Sequence, residues 1–316
     1  MSEVKVYAVL LVGLMIGAYL TWTDEDDKAT TDKVTIVDAK VEQLDRIQYF
    51  TKTQTIAIGF KDLGGERTPW FEMDSRSKPR AFVGNEKTKD LLEPFAPFVA
   101  LRTLGKQLSE DELKTTELDG TKKKLILTIA GKDRTFDIGG RTSGARDHYV
   151  RVAGGDEVYL VGSKVLGDLE YPEGKFMQRK LRVADKKEVD KVVVAANGKT
   201  ATAFQKNKLS PRDAFWAREG SEDKDETLGN FLDKLDKLSA IEYPPDADKK
   251  FEAAQAVLEA SWYGEDGKEL GRVKIARDGE GKKADFYALS TATKKPVKVS
   301  RFTAEQLETS LAAVLQ

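Results

Sequence analysis

The sequence predicts an α+β fold of two similar domains from an internal duplication, each a mainly antiparallel sheet with a packed helix, behind one N-terminal transmembrane helix. Three observations predict it. Residues 6–22 form an uncharged apolar run, the rest of the chain passes twice through the same order of residue patterns, and each passage contains short apolar runs flanking glycine turns. At 316 residues the chain is long for one core and long enough for two.

The run from Val6 to Trp22 reaches about 26 Å as a helix, enough for a thin bilayer. Tyr7, Tyr19 and Trp22 stand near its ends, where amphipathic rings favour the headgroup region. Lys5 precedes it, while Asp24, Glu25, Asp26 and Asp27 follow, so the positive-inside tendency leaves residues 1–5 as a cytoplasmic tail. No small-residue cleavage pattern follows Tyr19-Leu20-Thr21-Trp22, which predicts an uncleaved signal anchor at 6–22. Gly13 and Gly17 are spaced as a G-x-x-x-G face through which two such helices can approach as a homodimer. Residues 23–33 read as an acidic linker.

The first domain is expected over 34–183 and the second over 184–316. Leu44-Asp45-Arg46-Ile47 and Val189-Asp190-Lys191-Val192 share one order: apolar, acidic, basic, apolar. Strand candidates follow at 55–60 and 200–204, then a tryptophan in each, Trp70 and Trp216. Leu92, Phe95 and Val99 in one half, and Leu228, Phe231, Leu232, Leu235 and Leu238 in the other, recur at helical spacing. The first helix, placed over 90–104, is interrupted by Pro94 and Pro97. Hairpins are predicted at 124–138 around Ala130-Gly131-Lys132-Asp133 and at 258–275 around Gly264 to Gly267. Strand pairs 148–152 with 157–161 and 285–289 with 296–299 come next, and helices at 163–169 and 303–315 close the two halves. Thr303-Ala-Glu-Gln306 has the form of a capping box. Matched positions lie about 136 to 146 residues apart, a domain-sized period rather than a solenoid.

The run Leu127 to Val161, LTIAGKDRTFDIGGRTSGARDHYVRVAGGDEVYLV, with the opening Val41 to Ile47 and Trp70, resembles the bacterial domain-of-unknown-function family DUF4340, in tandem copies. The resemblance extends over about Val34 to Phe302, with the second copy more degenerate. It implies a membrane-anchored, extracytoplasmic α+β protein without assigned catalytic residues, some relatives standing beside ABC-transporter components linked to gliding motility or export. With the anchor, the expected location is the bacterial inner membrane, single pass, N-terminus inside and bulk in the periplasm.

Composition removes several chemistries. Lys plus Arg is 52 against 53 Asp plus Glu, a net charge of −1 that argues against nucleic acid held by bulk charge. The absence of Cys excludes disulfides, zinc–thiolate and iron–sulfur sites and thiol nucleophiles. A lone histidine, His148, leaves no poly-histidine metal site.

Four features carry a site reading, and each has a plainer one. Gly139 to Arg146 superficially resembles a phosphate loop, yet Ala145 and Arg146 stand where Lys and Ser or Thr are needed, so a hairpin loop is expected. His148, beside Asp147 and Arg146, reads as a strand-edge histidine. Glu219, Glu222, Asp223, Asp225 and Glu226, like Asp246 and Asp248, lack calcium-loop spacing and read as solvated acids, with Asp225 and Glu226 suited to a helix N-terminus. Trp70 and Trp216 read as equivalent core anchors. The expectation is no catalytic, cofactor or metal site and no enzyme. It is an accessory or scaffold component of an envelope complex; the alternative is a glycan- or peptide-binding module using the groove between the domains.

Overall fold

A computed structural model describes residues 33–316 apart from 76–77, 107, 145–146, 183, 209 and 211. The tail, the 6–22 anchor with Gly13 and Gly17, and the linker up to Asp32 lie outside the described residues. Among the described residues no helix is long and apolar enough to cross a membrane.

The first half runs β1 (Val34–Val37), β2 (Leu44–Phe50), β3 (Gln54–Leu63), β4 (Glu66–Ser75), β5 (Lys78–Val83), α1 (Thr88–Leu92), β6 (Phe98–Ala100), β7 (Arg102–Gly105), α2 (Glu110–Thr115), β8 (Lys123–Ile129), β9 (Lys132–Arg141), β10 (Asp147–Val152), β11 (Val158–Gly162), α3 (Ser163–Glu170) and α4 (Pro172–Phe176). The second runs β12 (Lys191–Ala196), β13 (Lys199–Lys206), β14 (Phe215–Arg218), α5 (Glu226–Lys237), β15 (Ala240–Glu242), α6 (Ala247–Ala253), β16 (Gln255–Tyr263), β17 (Glu269–Asp278), β18 (Asp285–Ser290), β19 (Val297–Val299) and α7 (Arg301–Val314). Mainly antiparallel sheets with a few helices make this an α+β fold.

One large sheet has nine strands in the order β5-β4-β3-β2-β8-β9-β10-β11-β7; the other has eight, β14-β13-β12-β16-β17-β18-β19-β15; β1 and β6 pair antiparallel in a separate two-stranded sheet. Apart from β5, the two orders correspond strand for strand. The neighbours pair antiparallel throughout, for example Ile47 opposite Ile58 in the first and Val192 opposite Ala203 in the second. Two-residue turns set the register of one hairpin in each sheet. Asn197-Gly198, with φ 51 and 74, joins β12 to β13, and Ala130-Gly131, with φ 47 and 73, joins β8 to β9. Both residues of such a turn need positive φ, which matches the strand twist.

Alternation buries one face of each strand: Ile47 and Tyr49 on β2, Val192 and Val194 on β12. In the second half α5 packs on α7 and β14, turning in Leu228, Phe231, Leu232 and Leu235. Asp225 caps α5, its carboxylate accepting from the Leu228 N–H at 2.9 Å. Arg218 holds that carboxylate at 2.6 Å and also donates to the carbonyls of Val314 and Gln316, so one guanidinium serves the start of α5 and the end of α7.

Three expectations are corrected. The helix expected over 90–104 is only α1, ending at Leu92; the imino nitrogens of Pro94 and Pro97 cannot donate, and the chain turns into β6. Phe95 and Phe98 still reach the core, so their spacing mimicked a helical face. The box at Thr303 does not form. Strand β19 ends at Val299, and α7 starts at once behind Ser300, leaving Thr303 inside the first turn with its hydroxyl 3.3 Å from that of Ser300. Trp70 and Trp216 are not equivalent. Trp216 is buried opposite Gln205 on the core face, whereas Trp70, opposite Gly59, lies on the other face of its sheet, half-buried beside Phe71, whose ring takes the core side. A one-residue offset in register exchanges the faces. Lys61 lies 4.1 Å over the Trp70 ring, and the indole N–H donates to Glu72 at 3.1 Å.

Residues 177–180 join the halves and bond to both. The Gln178 N–H donates to the Val83 carbonyl at 2.8 Å, on the outermost strand of the first sheet, and the Ala240 N–H of β15 donates to the Arg179 carbonyl at 2.8 Å. The Tyr243 hydroxyl donates to the Gln178 carbonyl at 2.8 Å from a buried position. Met177, Gln178 and Leu181 are buried, and one hydrophobic cluster runs through both sheets.

Candidate functional site

Where the sheets meet, the fold leaves a groove of about 990 Å³, at the upper end of the usual range for ligand sites. One wall is the β3–β4 hairpin with Phe60, Glu66, Arg67, Thr68 and Pro69, continued by Gly84, Asn85 and Glu86 and by Lys89 and Leu92 of α1. The opposite wall is Leu270, Thr291, Ala292 and Lys294 from the second half, and Gln178, Lys180 and Arg182 of the connection complete the lining.

The groove is built, not merely left over. Gly84 is required: a Cβ there would lie 2.5 Å from the Thr88 hydroxyl and 2.9 Å from the Phe71 ring. The Asn85 N–H donates to the Phe176 carbonyl at 2.8 Å, and its side-chain amide donates to the Lys175 carbonyl at 3.0 Å, fixing this turn on the connection. Arg182 forks onto Asp236, two contacts of 3.2 Å. Arg67 stacks 3.7 Å over Phe60 and donates to the Leu44 carbonyl. Across the groove, Lys294 bridges to the other sheet, contacting the Glu66 carboxylate and the Thr68 hydroxyl, the latter at 2.8 Å. That ammonium holds the Glu66 carboxyl below the usual range. Lys89 and Lys180 are exposed, and no carboxylate among the described residues pairs with either.

The sequence-derived candidates lie elsewhere. Gly139 and Gly140 belong to β9, and their lack of side chains admits the 116–118 segment: a Cβ on Gly139 would lie 2.3 Å from the Thr116 carbonyl oxygen. Asp225 is a helix cap. Asp246 and Asp248 pair with Lys250 and Lys295. Among the described residues no group of three or more His, Cys, Asp or Glu is placed to hold a metal ion.

His148 is not at a sheet edge. It sits in β10, between β9 and β11, opposite Arg141 and Val161, 1% exposed, with neither ring nitrogen reaching a hydrogen-bond partner. Burial pushes its pKa down, and the Arg141 and Lys123 cations act the same way, against Glu170. The unfolded ring takes a proton below its ordinary pKa of about 6.5, while the folded ring resists until lower pH. The unfolded state therefore binds more protons in that window, and stability falls as pH drops. Urea unfolding at pH 7.5 and 5.0 is expected to show a loss in the wild type that His148→Leu reduces. An equal loss in both proteins would remove the histidine from the account.

The fold and groove define the class: an α+β protein of two large antiparallel sheets with a cleft at their junction. The family model Domain of unknown function (DUF4340), that of the family the sequence resembles, matches residues 107–257. The matched stretch begins before α2, crosses the connection and ends in β16, drawing on both sheets. No curated protein and no solved structure matches the chain.

Proposed function

We propose that the protein is an extracytoplasmic binding module, tethered to the bacterial inner membrane through residues 6–22. It serves as a non-enzymatic accessory component of a cell-envelope complex by holding a segment of its partner between the two sheets. The observation that carries this reading is the groove, whose walls come from both halves over a connection hydrogen-bonded to each. Such a site is pre-formed, so little ordering is needed on binding. The common strand order of the two sheets supports an origin by duplication, with the site at the junction of the copies. A complex containing ABC-transporter components is the first place to seek the partner.

The test is site-specific photo-crosslinking in native membranes. A photo-reactive residue at Glu86, on the groove wall, is expected to capture a protein that the same residue at Phe302, exposed on α7, does not. Capture at Phe302 alone would move the interaction to another surface. Capture at neither would end the accessory reading.

A further inference from the structure

We propose that Lys294 is the residue by which the groove takes the carboxylate of a short peptide segment, and that Glu66 is a resting counter-ion which the peptide displaces. This rests on the groove being the binding site.

The two partners of the cross-groove contact are held very differently. Lys294 sits in a left-handed backbone conformation, φ 55, uncommon for a residue with a side chain. Its N–H donates to the Ser290 carbonyl at 2.8 Å. Ser290 and Thr293, both buried, exchange bonds of 3.1 to 3.2 Å that lock the turn. The Lys294 side chain is 21% exposed, and it reaches across the groove to Glu66 and Thr68. Glu66 is its opposite. Its side chain is 74% exposed, and it follows Gly64 and Gly65, with φ 68 and 81, at a hairpin tip. An exposed carboxylate on a long side chain gains little from such a pair. Thr68, 4% exposed, bonds the same ammonium and would keep it in place when Glu66 leaves. A placed cation with a replaceable anion is therefore built into the site.

The surroundings name the ligand class. Phe60, Leu92 and Leu270 give the groove an apolar component, which a bare inorganic anion would not use. Lys89 and Lys180 add positive charge on the same lining, and with Arg67, Arg182 and Lys294 they outnumber its carboxylates, Glu42, Glu66 and Glu86. A peptide with apolar side chains and a carboxylate matches both.

The experiment uses the full chain in mild detergent and an array of heptapeptides. Each peptide carries one Asp or Glu among Leu, Phe and Val, beside its Asn or Gln counterpart, with free or amidated C-termini. Acidic peptides are expected to bind. Lys294→Met should weaken them about tenfold, and Glu66→Gln should tighten them about two- to fivefold. Lys294→Arg, which keeps the charge, should retain binding and so control for folding. The opposite signs are the signature, because a simple strut between the sheets would make both losses shift affinity the same way. Equal binding of acid and amide peptides, or shifts of one sign, would overturn the inference. If binding then still fails in the groove-filling variant Glu86→Trp, the groove reading survives alone. No binding by any peptide would overturn both.

Discussion

Phe71→Ala is expected to cost about 3–5 kcal/mol, as for other fully buried phenylalanines. Phe71 is 0% exposed and stacks on Phe82 of β5 at 4.7 Å and on Phe176 of α4 at 6.2 Å, the rings within 11° of parallel. It therefore ties β4 to β5 and to the helix that leads into the connection. Its ring also lies beneath Gly84, so truncation opens a void under the groove wall. Neighbours cannot refill it without moving Gly84 or Phe176, each fixed by backbone hydrogen bonds. Against a typical total of about 5–15 kcal/mol this is a large fraction. Urea unfolding monitored by circular dichroism gives the number, and Phe71→Leu should recover most of it. A loss under about 1 kcal/mol would mean that the stack is not a joint of the molecule.

Gly139→Ala should cost about 3 kcal/mol through overpacking and a damaged hydrogen bond. The added methyl meets a backbone oxygen, that of Thr116, and the Leu118 side chain at 3.1 Å, neither of which is a flexible tip. The same Thr116 carbonyl accepts from the Gly140 N–H at 2.8 Å, so relieving the clash strains that bond. Gly144→Ala is the comparison. Its Cβ would meet open space, and only the φ of 90 resists, so about 1 kcal/mol is expected. A thermal melt of each variant separates the two. Equal, small losses would return this glycine-rich run to the status of a flexible loop.

Local features were largely legible. The hairpins around Ala130-Gly131 and Gly264 to Gly267 follow from apolar runs beside turn residues, and α5 follows from the spacing of Leu228, Phe231, Leu232 and Leu235. What failed did so for identifiable reasons. Prolines cut the helix after Leu92 although the apolar spacing continued. The capping pattern at Thr303 lost to Ser300, while the same rule would have found Ser109 and Glu112, which do form a capping box on α2. The face of Trp70 depends on register, which composition does not fix. The groove was least legible. Glu66 and Lys294 are 228 positions apart, and Gly84, Thr68 and Lys294 look ordinary in isolation. Only the packing of one sheet against the other gives them a common purpose.

The way residues 177–180 are bonded also bears on how the chain must assemble. Strand β5, at the end of the first sheet, leaves the Val83 carbonyl without a strand neighbour until Gln178 arrives nearly a hundred positions later. Segments that pair over long separations close late, so the first sheet is completed only as the chain moves on to build the second. A fragment ending before Phe176 would present that open ladder, together with the uncovered side of Phe71, as a template for other chains. Neither half is then a natural unit for expression. The covalent connection acts as the last strand of one half and the first support of the next, and truncation there invites aggregation.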